Sequence, residues 1–194
     1  AEMPYHLSGV WEMVGQLDLF KLQDAFQEIV RRHESLRTAF GLINGKPSQY
    51  VFEEPRFFLE EIKVAGKAPG ELLQDFIRPF DLERPPLLRV GAVVLDANRT
   101  LLLIDVHHIA ADGLSMNVIL SEFAKLYDGQ ALGPVKRQYR HACSEAEALK
   151  KQPDYRLEEA YWLKEMAGSL PLLDLPGDHV RSGEMDFRGD KCGI

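Results

Sequence analysis

The chain has 194 residues, of which 45% are hydrophobic and 27% are charged, and its formal net charge at pH 7 is -7. This length and composition suit one globular domain, and the negative charge argues against nucleic acid or an anionic membrane as a partner. No run approaches the roughly 20 apolar residues that span a bilayer, and residues 1–4 show no signal-peptide pattern.

The first part of the chain predicts a strand, a helix and a hairpin. Residues 5–15 alternate loosely and indicate a strand. Asp18 then precedes apolar residues at helical spacing as far as Val30, and an acidic residue suits the positive end of a helix dipole. Residues 36–40 should be extended, and Asn44-Gly45 is a typical hairpin turn.

The rest of the chain alternates further strands and helices before an irregular, Pro- and Gly-rich end. The expected strands are 57–64, 87–95 and 100–106, and the expected helices are 71–77, 115–127, 139–151 and 157–167. The fold class is therefore α/β, a mixed sheet with helices packed on it. Cys143 and Cys192 have neither metal-site nor disulfide spacing, so we expect free thiols in a reducing cytoplasm.

Two adjacent histidines follow a strongly apolar run. Leu101 to Ile104 indicate a strand buried on both faces, and His107 and His108 come at its end. Neighbouring strand residues point to opposite faces, so the two imidazoles should not converge on a metal ion. We expect one ring to pack as structure and the other to face a cavity. From the residues alone, Asp112 or Ser115 could equally serve only to cap the next helix.

Several stretches, in this order along the chain, resemble motifs of the condensation domains of nonribosomal peptide synthetases. They are RHExLRTxF at 32–40, PFDL and PLLRV at 79–82 and 86–90, HHxxxDG at 107–113 with Ser115, and YW with LLDLP at 161–162 and 172–176. The resemblance extends over nearly the whole chain from Tyr5 onward, and several ordered matches are more specific than any one of them.

The resemblance implies a chloramphenicol acetyltransferase-like two-layer sandwich that forms one lobe of a pseudo-dimeric domain. Complete members of the family are more than twice as long, and their first motif, SxAQxR, is missing ahead of Tyr5. We therefore expect residues 1–170 to be the N-terminal lobe and residues 171–194 to be a linker toward a missing C-terminal lobe. We expect this chain alone to be inactive.

The resemblance also implies the activity and the partners. The family forms an amide bond between a donor acyl or peptidyl thioester and an acceptor aminoacyl thioester. Both substrates are carried on the phosphopantetheine arms of donor and acceptor peptidyl carrier proteins. The partners implied are these carriers, an adjacent adenylation domain and the C-terminal lobe, and neither nucleic acid nor a membrane is expected. No cofactor is expected to bind directly, and no residue is assigned to one.

By the family pattern, His108 is the catalytic residue and His107 is structural. A neutral histidine can accept the proton that the attacking amine loses, or it can orient the amine through a hydrogen bond. The resemblance gives Asp112 an ionic partner, for which Arg32, Arg37 or an arginine of the missing lobe are the candidates. Gly113, which has no Cβ, would let its backbone N–H approach the thioester closely.

Three alternatives stay open. The chain could belong to an acyltransferase of the same superfamily that acts on a hydroxyl or a coenzyme A thioester. It could come from an epimerization domain, because these share HHxxxDG. It could also be a non-catalytic lobe that docks carriers. Both histidines are present, unlike in cyclization domains, and Leu114 stands where many members carry Trp.

Overall fold

The computed structural model describes residues 5–64 and 66–171. This part of the chain divides between Gln138 and Tyr139 into two compact units. The LLDLP stretch, Cys192 and nearly all of the expected 171–194 linker lie outside the described residues. The domain boundary predicted at residue 170 therefore stays a prediction.

The elements of the first unit follow the order that the sequence predicts. Its strands are β1 (His6–Val14), β2 (Thr38–Ile43), β3 (Lys46–Val51), β4 (Glu60–Glu61), β5 (Leu88–Asp96) and β6 (Arg99–His107). Its helices are α1 (Leu19–Arg32), α2 (Pro69–Phe76) and α3 (Gly113–Tyr127), with one 3-10 turn at Glu34–Arg37. The second unit contains α4 (Tyr139–Leu149) and α5 (Pro153–Glu165).

A mixed sheet in the order β1-β6-β5-β4 forms the centre of the first unit. Strand β4 runs parallel to β5, and the other pairs are antiparallel. Leu102 and Ile104 of β6 belong to the core on one face, whereas Leu101 and Leu103 belong to the core on the other. The predicted strand with two buried faces is confirmed.

Helices cover both faces of this sheet. On one face α1 and α3 pack together, with the Phe26 and Phe123 rings 4.9 Å apart. On the other face α2 lies so close that a Cβ on Gly91 would come within 2.9 Å of the Phe76 ring. A side chain at position 91 would therefore push α2 away. The predicted α/β class, a mixed sheet with packed helices, is confirmed.

The short hairpin of β2 and β3 confirms the predicted turn. Asn44 has φ 51° and Gly45 has φ 74°, and these two residues connect the paired strands. Two consecutive positive φ values are typical of the type I′ turn that suits the twist of a hairpin, and Asn and Gly tolerate them best.

The strand expected over 57–64 is wrong in extent, because only Glu60–Glu61 pair with the sheet. Side chains of α1 satisfy the backbone before it. Gln27 Oε1 accepts from the Phe57 N–H at 2.9 Å, and Gln23 Oε1 accepts from the Leu59 N–H at 2.7 Å. The segment before Glu60 is hydrogen-bonded to a helix instead of a strand, which apolar patterning cannot reveal.

Candidate active site

The two histidines of the motif stand on either side of a strand end. Strand β6 ends at His107, and His108 begins a turn, so the expectation that both lie on the strand is wrong for His108. The His108 N–H donates to the Tyr5 carbonyl at 2.8 Å, and the Ile109 N–H donates to His107 Nδ1 at 3.1 Å. His107 is half-buried and His108 is exposed, so the two rings do lie in different surroundings.

Aromatic rings surround the imidazole of His107. Its centroid lies 6.0 Å from the rings of His6 and Phe80 and 6.2 Å from that of Tyr5. Burial, with a smaller effect of His6, lowers the pKa of His107. A neutral ring can accept at Nδ1, which matches its bond from Ile109. His107 thus holds the first turn of the motif in place.

Asp112 caps α3, and its carboxylate is exposed. Its Oδ1 accepts from the Ser115 N–H at 2.8 Å and from the Ser115 hydroxyl at 2.6 Å. The hydroxyl also accepts from the Asp112 N–H at 3.1 Å, which completes a capping box. These bonds lower the pKa of Asp112. The structure thus has the helix cap that the residues alone allowed.

Neither arginine proposed as a partner of Asp112 forms that pair in the described part of the chain. Arg32 Nε lies 3.1 Å from Glu122 Oε1, and Arg37 Nη2 lies 3.7 Å from Glu34 Oε1. The expectation of an ionic pair between Asp112 and Arg32 or Arg37 is therefore wrong, because the exposed carboxylate is satisfied by the helix cap. An arginine outside this chain stays a prediction.

The RHExLRTxF segment fastens α1 to α3. Glu122 of α3 accepts from Arg32 and from His33 Nε2, the latter at 2.6 Å. Gln138 donates to the Arg32 carbonyl at 2.8 Å and accepts from the Glu34 N–H at 3.1 Å. This arrangement favours a bracing role for the segment over that of an ordinary helix end.

A cavity of about 220 Å³ lies between the two motifs. His33 and Ser35 line it from the RHExLRTxF segment, and Ala110 and Ser115 line it from HHxxxDG. Gly113 is the first residue of α3, and a Cβ there would meet no atom within 4 Å. The backbone at Gly113 is therefore open to a molecule approaching from outside the chain.

One buried carboxylate beside the motif does not stand out from the sequence alone. Asp105 is 0% exposed, and its oxygens lie 2.8 Å from His6 Nδ1 and 2.8 Å from Arg89 Nη1. Burial raises its pKa, and the bond from His6 and the charge of Arg89 oppose that rise. The Arg89 guanidinium also lies 4.1 Å from the centre of the Phe80 ring. The available signal was an acid inside the otherwise aliphatic run 101–106.

Two other kinds of feature are absent from residues 5–64 and 66–171. This part of the chain has no group of three or more His, Cys, Asp or Glu side chains placed to hold a metal ion. None of its helices combines the length and the apolar character that crossing a bilayer requires.

Comparison with protein families identifies the family of this chain. The model of the condensation domain family matches residues 1–194. The chain belongs to the condensation domain family. The resemblance carried by the HHxxxDG and RHExLRTxF motifs is thereby confirmed.

Curated relatives of this condensation-domain chain are components of large synthases. It is 40% identical over 191 residues to a plipastatin synthase component of Bacillus subtilis (strain 168), and the match covers 98% of this chain and 5% of the relative. It is 37% identical over 194 residues to surfactin synthase subunit 1 of the same strain, covering 100% and 5%. The chain thus spans a small fraction of the relatives it matches.

Solved structures confirm the fold of the condensation-domain chain. The X-domain from teicoplanin biosynthesis has a TM-score of 0.78 at 27% identity, over 92% of this chain and 42% of that one. The first condensation domain of the calcium-dependent antibiotic synthetase has a TM-score of 0.70, over 87% and 45%, and at 24% identity it supports the fold alone. The chloramphenicol acetyltransferase-like class is thereby confirmed.

Proposed function

We propose that this chain is the N-terminal part of a condensation domain that forms an amide bond between two carrier-bound thioesters. The observation that carries the proposal is the HHxxxDG turn, which leaves His108 exposed while His107 is packed. The 40% identity to a component of a plipastatin synthase supports the same class of activity.

In the proposed reaction the acceptor amine attacks the carbonyl carbon of the donor thioester. A C–N bond forms, the C–S bond breaks, and the proton lost by the amine ends on the departing thiol. His108 accepts that proton or orients the amine lone pair toward the carbonyl. Holding both arms in line can account for roughly 7–11 kcal/mol of the barrier, so positioning is expected to contribute strongly.

Exposed apolar residues in the HHxxxDG turn and in α3 support a further lobe that covers this surface. Ile109, Leu114 and Val118 are 44%, 75% and 47% exposed, although all three are large and apolar. Exposed large apolar side chains that form a patch are typical of a surface that another part of the protein covers. We infer that a C-terminal lobe covers them and that donor and acceptor carrier proteins deliver the two substrates. An adjacent adenylation domain and a cytoplasmic location belong to the same proposal.

The test is His108→Ala in the complete condensation domain, supplied with loaded donor and acceptor carriers. Amide product is measured by mass spectrometry. We expect the rate to fall at least about 100-fold, because general acid-base groups typically contribute that much. The melting temperature should stay unchanged, since His108 is exposed. His141→Ala, at a histidine of α4, is the matched control and should keep the wild-type rate.

The same assay separates the alternatives. An ester product with a hydroxyl acceptor would identify an acyltransferase of another specificity, and an inverted donor residue without condensation would identify an epimerization domain. Binding of a carrier with no product at all would identify a docking lobe. Wild-type rates in His108→Ala would contradict the role proposed for this residue.

A further inference from the structure

The carboxylate of Asp105 joins three strands beside the motif. Asp105 lies on β6, His6 on β1 and Arg89 on β5, and both basic groups bond to the same carboxylate. His6 lies 3.1 Å from the second oxygen as well. Such a buried carboxylate is held in one geometry, because no water replaces a lost partner.

The partners of this carboxylate position the aromatic rings that pack against His107. In the sheet register His6 lies directly opposite His107, and Arg89 lies directly opposite Asp105. The Phe80 ring stacks on His6 at 5.3 Å and lies under the guanidinium of Arg89. Of the two rings that lie 6.0 Å from His107, that of His6 bonds to Asp105 directly, and that of Phe80 contacts both partners of Asp105.

His107 transmits this placement to the turn. Its Nδ1 accepts from the Ile109 N–H, so the ring orientation sets the backbone that carries His108 between them. A hydrogen bond of this kind fails if the ring rotates or becomes protonated at Nδ1.

We propose that Asp105, through His6 and Arg89, is a positioning residue that fixes the His107 ring and thereby the turn that presents His108. This inference rests on the proposed condensation function of His108. Asp105 touches no substrate in this role, and its effect appears in the turnover step. Substitution of Asp105 should leave the binding of carrier proteins unchanged, because the carboxylate is fully buried.

The central experiment compares Asp105→Asn with Asp96→Asn in the complete condensation domain. Asp96 lies at the far end of β5, where it forms a surface pair with Arg99, so its variant is the control. We expect Asp105→Asn to lower kcat at least about tenfold with KM for the loaded carriers unchanged, because a misplacement of about 1 Å costs on the order of 100-fold. Asp96→Asn should match the wild type in both constants.

Titration of His107 gives a readout that does not depend on activity. The charged and titratable groups that act on its ring are His6 from β1, Asp105 from β6 and the adjacent His108. Without the Asp105 charge, the remaining influences on the His107 ring, which are burial, His6 and His108, all disfavour its protonation. The midpoint of the His107 ring signal in NMR should therefore move to lower pH in Asp105→Asn and stay in place in Asp96→Asn.

A pair of His6 variants decides the question if Asp105→Asn does not fold. His6→Asn keeps an N–H donor toward Asp105, whereas His6→Phe keeps a ring and loses the donor. We expect His6→Asn to keep kcat within about threefold and His6→Phe to lose at least about tenfold, a factor that corresponds to 1.36 kcal/mol.

Three outcomes would overturn the inference. They are a folded Asp105→Asn with kcat within twofold of wild type, an unmoved His107 titration, or His6→Phe as active as His6→Asn. Failure of the underlying function has a different signature, since the wild-type domain would then form no amide at all or His108→Ala would be fully active.

Discussion

Two clusters of the first unit each join one carboxylate to a histidine and an arginine. In one, Asp105 binds His6 and Arg89, and in the other, Glu122 binds His33 and Arg32. The carboxylate is 0% exposed in the first cluster and 15% exposed in the second. The same chemistry therefore operates in a closed and in a partly hydrated environment.

The difference shows what each cluster contributes. Water can replace part of a lost partner at Glu122, so that cluster mainly joins α1 to α3. At Asp105 a lost partner leaves a charge with no solvent, which makes geometry the dominant contribution. Chain position differs too, because Arg32 and His33 are consecutive at a helix end whereas the partners of Asp105 come from two other strands.

Removing one arginine from each cluster should give the largest contrast. Arg89→Ala leaves Asp105 buried with His6 as its remaining partner, and we expect a loss of about 3–5 kcal/mol in the free energy of unfolding. Arg32→Ala leaves a partly hydrated Glu122 that still binds His33, so we expect a loss of about 1 kcal/mol. Urea unfolding followed by circular dichroism measures both.

The stability loss caused by Arg89→Ala should depend on pH, which gives a second check of this comparison. Without Arg89 the pKa of Asp105 should rise further, so lowering the pH toward 5 should reduce the loss caused by Arg89→Ala. Equal losses in the two variants at pH 7 would show that burial does not separate the clusters.

Local signals in the sequence identify most elements but not the buried network. Asp18 marks the start of α1, Asn44-Gly45 marks the hairpin, and the apolar run marks β6, because each depends on neighbouring residues. His6 and Asp105, in contrast, are 99 positions apart, and their contact exists only once β1 and β6 pair.

The motif itself shows the same division. Its place at the end of a strand follows from periodicity, and the likeness to condensation domains identifies His108 as the residue to test. Whether Asp112 caps a helix or forms a buried ion pair does not follow from the sequence, because the same local residues allow both. Exposure of the carboxylate, which only the fold determines, decides between them.

A smaller effect should appear in the pH dependence of stability at His107. Its pKa in the fold is lowered below the usual value near 6.5, so the unfolded chain binds a proton more readily. Stability is therefore full above about pH 7 and is lost as the pH falls through the folded pKa. His107→Asn keeps an acceptor for the Ile109 N–H but does not titrate, so this part of the acid loss should disappear.

The measurement is the unfolding free energy of wild type and His107→Asn at pH 8, 7 and 5. Between pH 8 and pH 7 the difference in unfolding free energy between the two proteins should stay constant, which serves as the internal control. A wild type that loses no more stability at pH 5 than the variant would mean that the ring is not held neutral by its surroundings.

The smallest effect is expected at Gly113, which touches neither cluster. A Cβ there meets no atom within 4 Å, and alanine restricts the unfolded chain, so Gly113→Ala should raise stability by at most about 1 kcal/mol. Gly133, also without an atom within 4 Å of its Cβ position, is the matched control. If a thioester approaches the Gly113 backbone, the amide assay should slow in Gly113→Ala and stay unchanged in Gly133→Ala. Equal rates in both would place the thioester elsewhere, and the placing of His108 by the Asp105 cluster would then have to account for the geometry of attack alone.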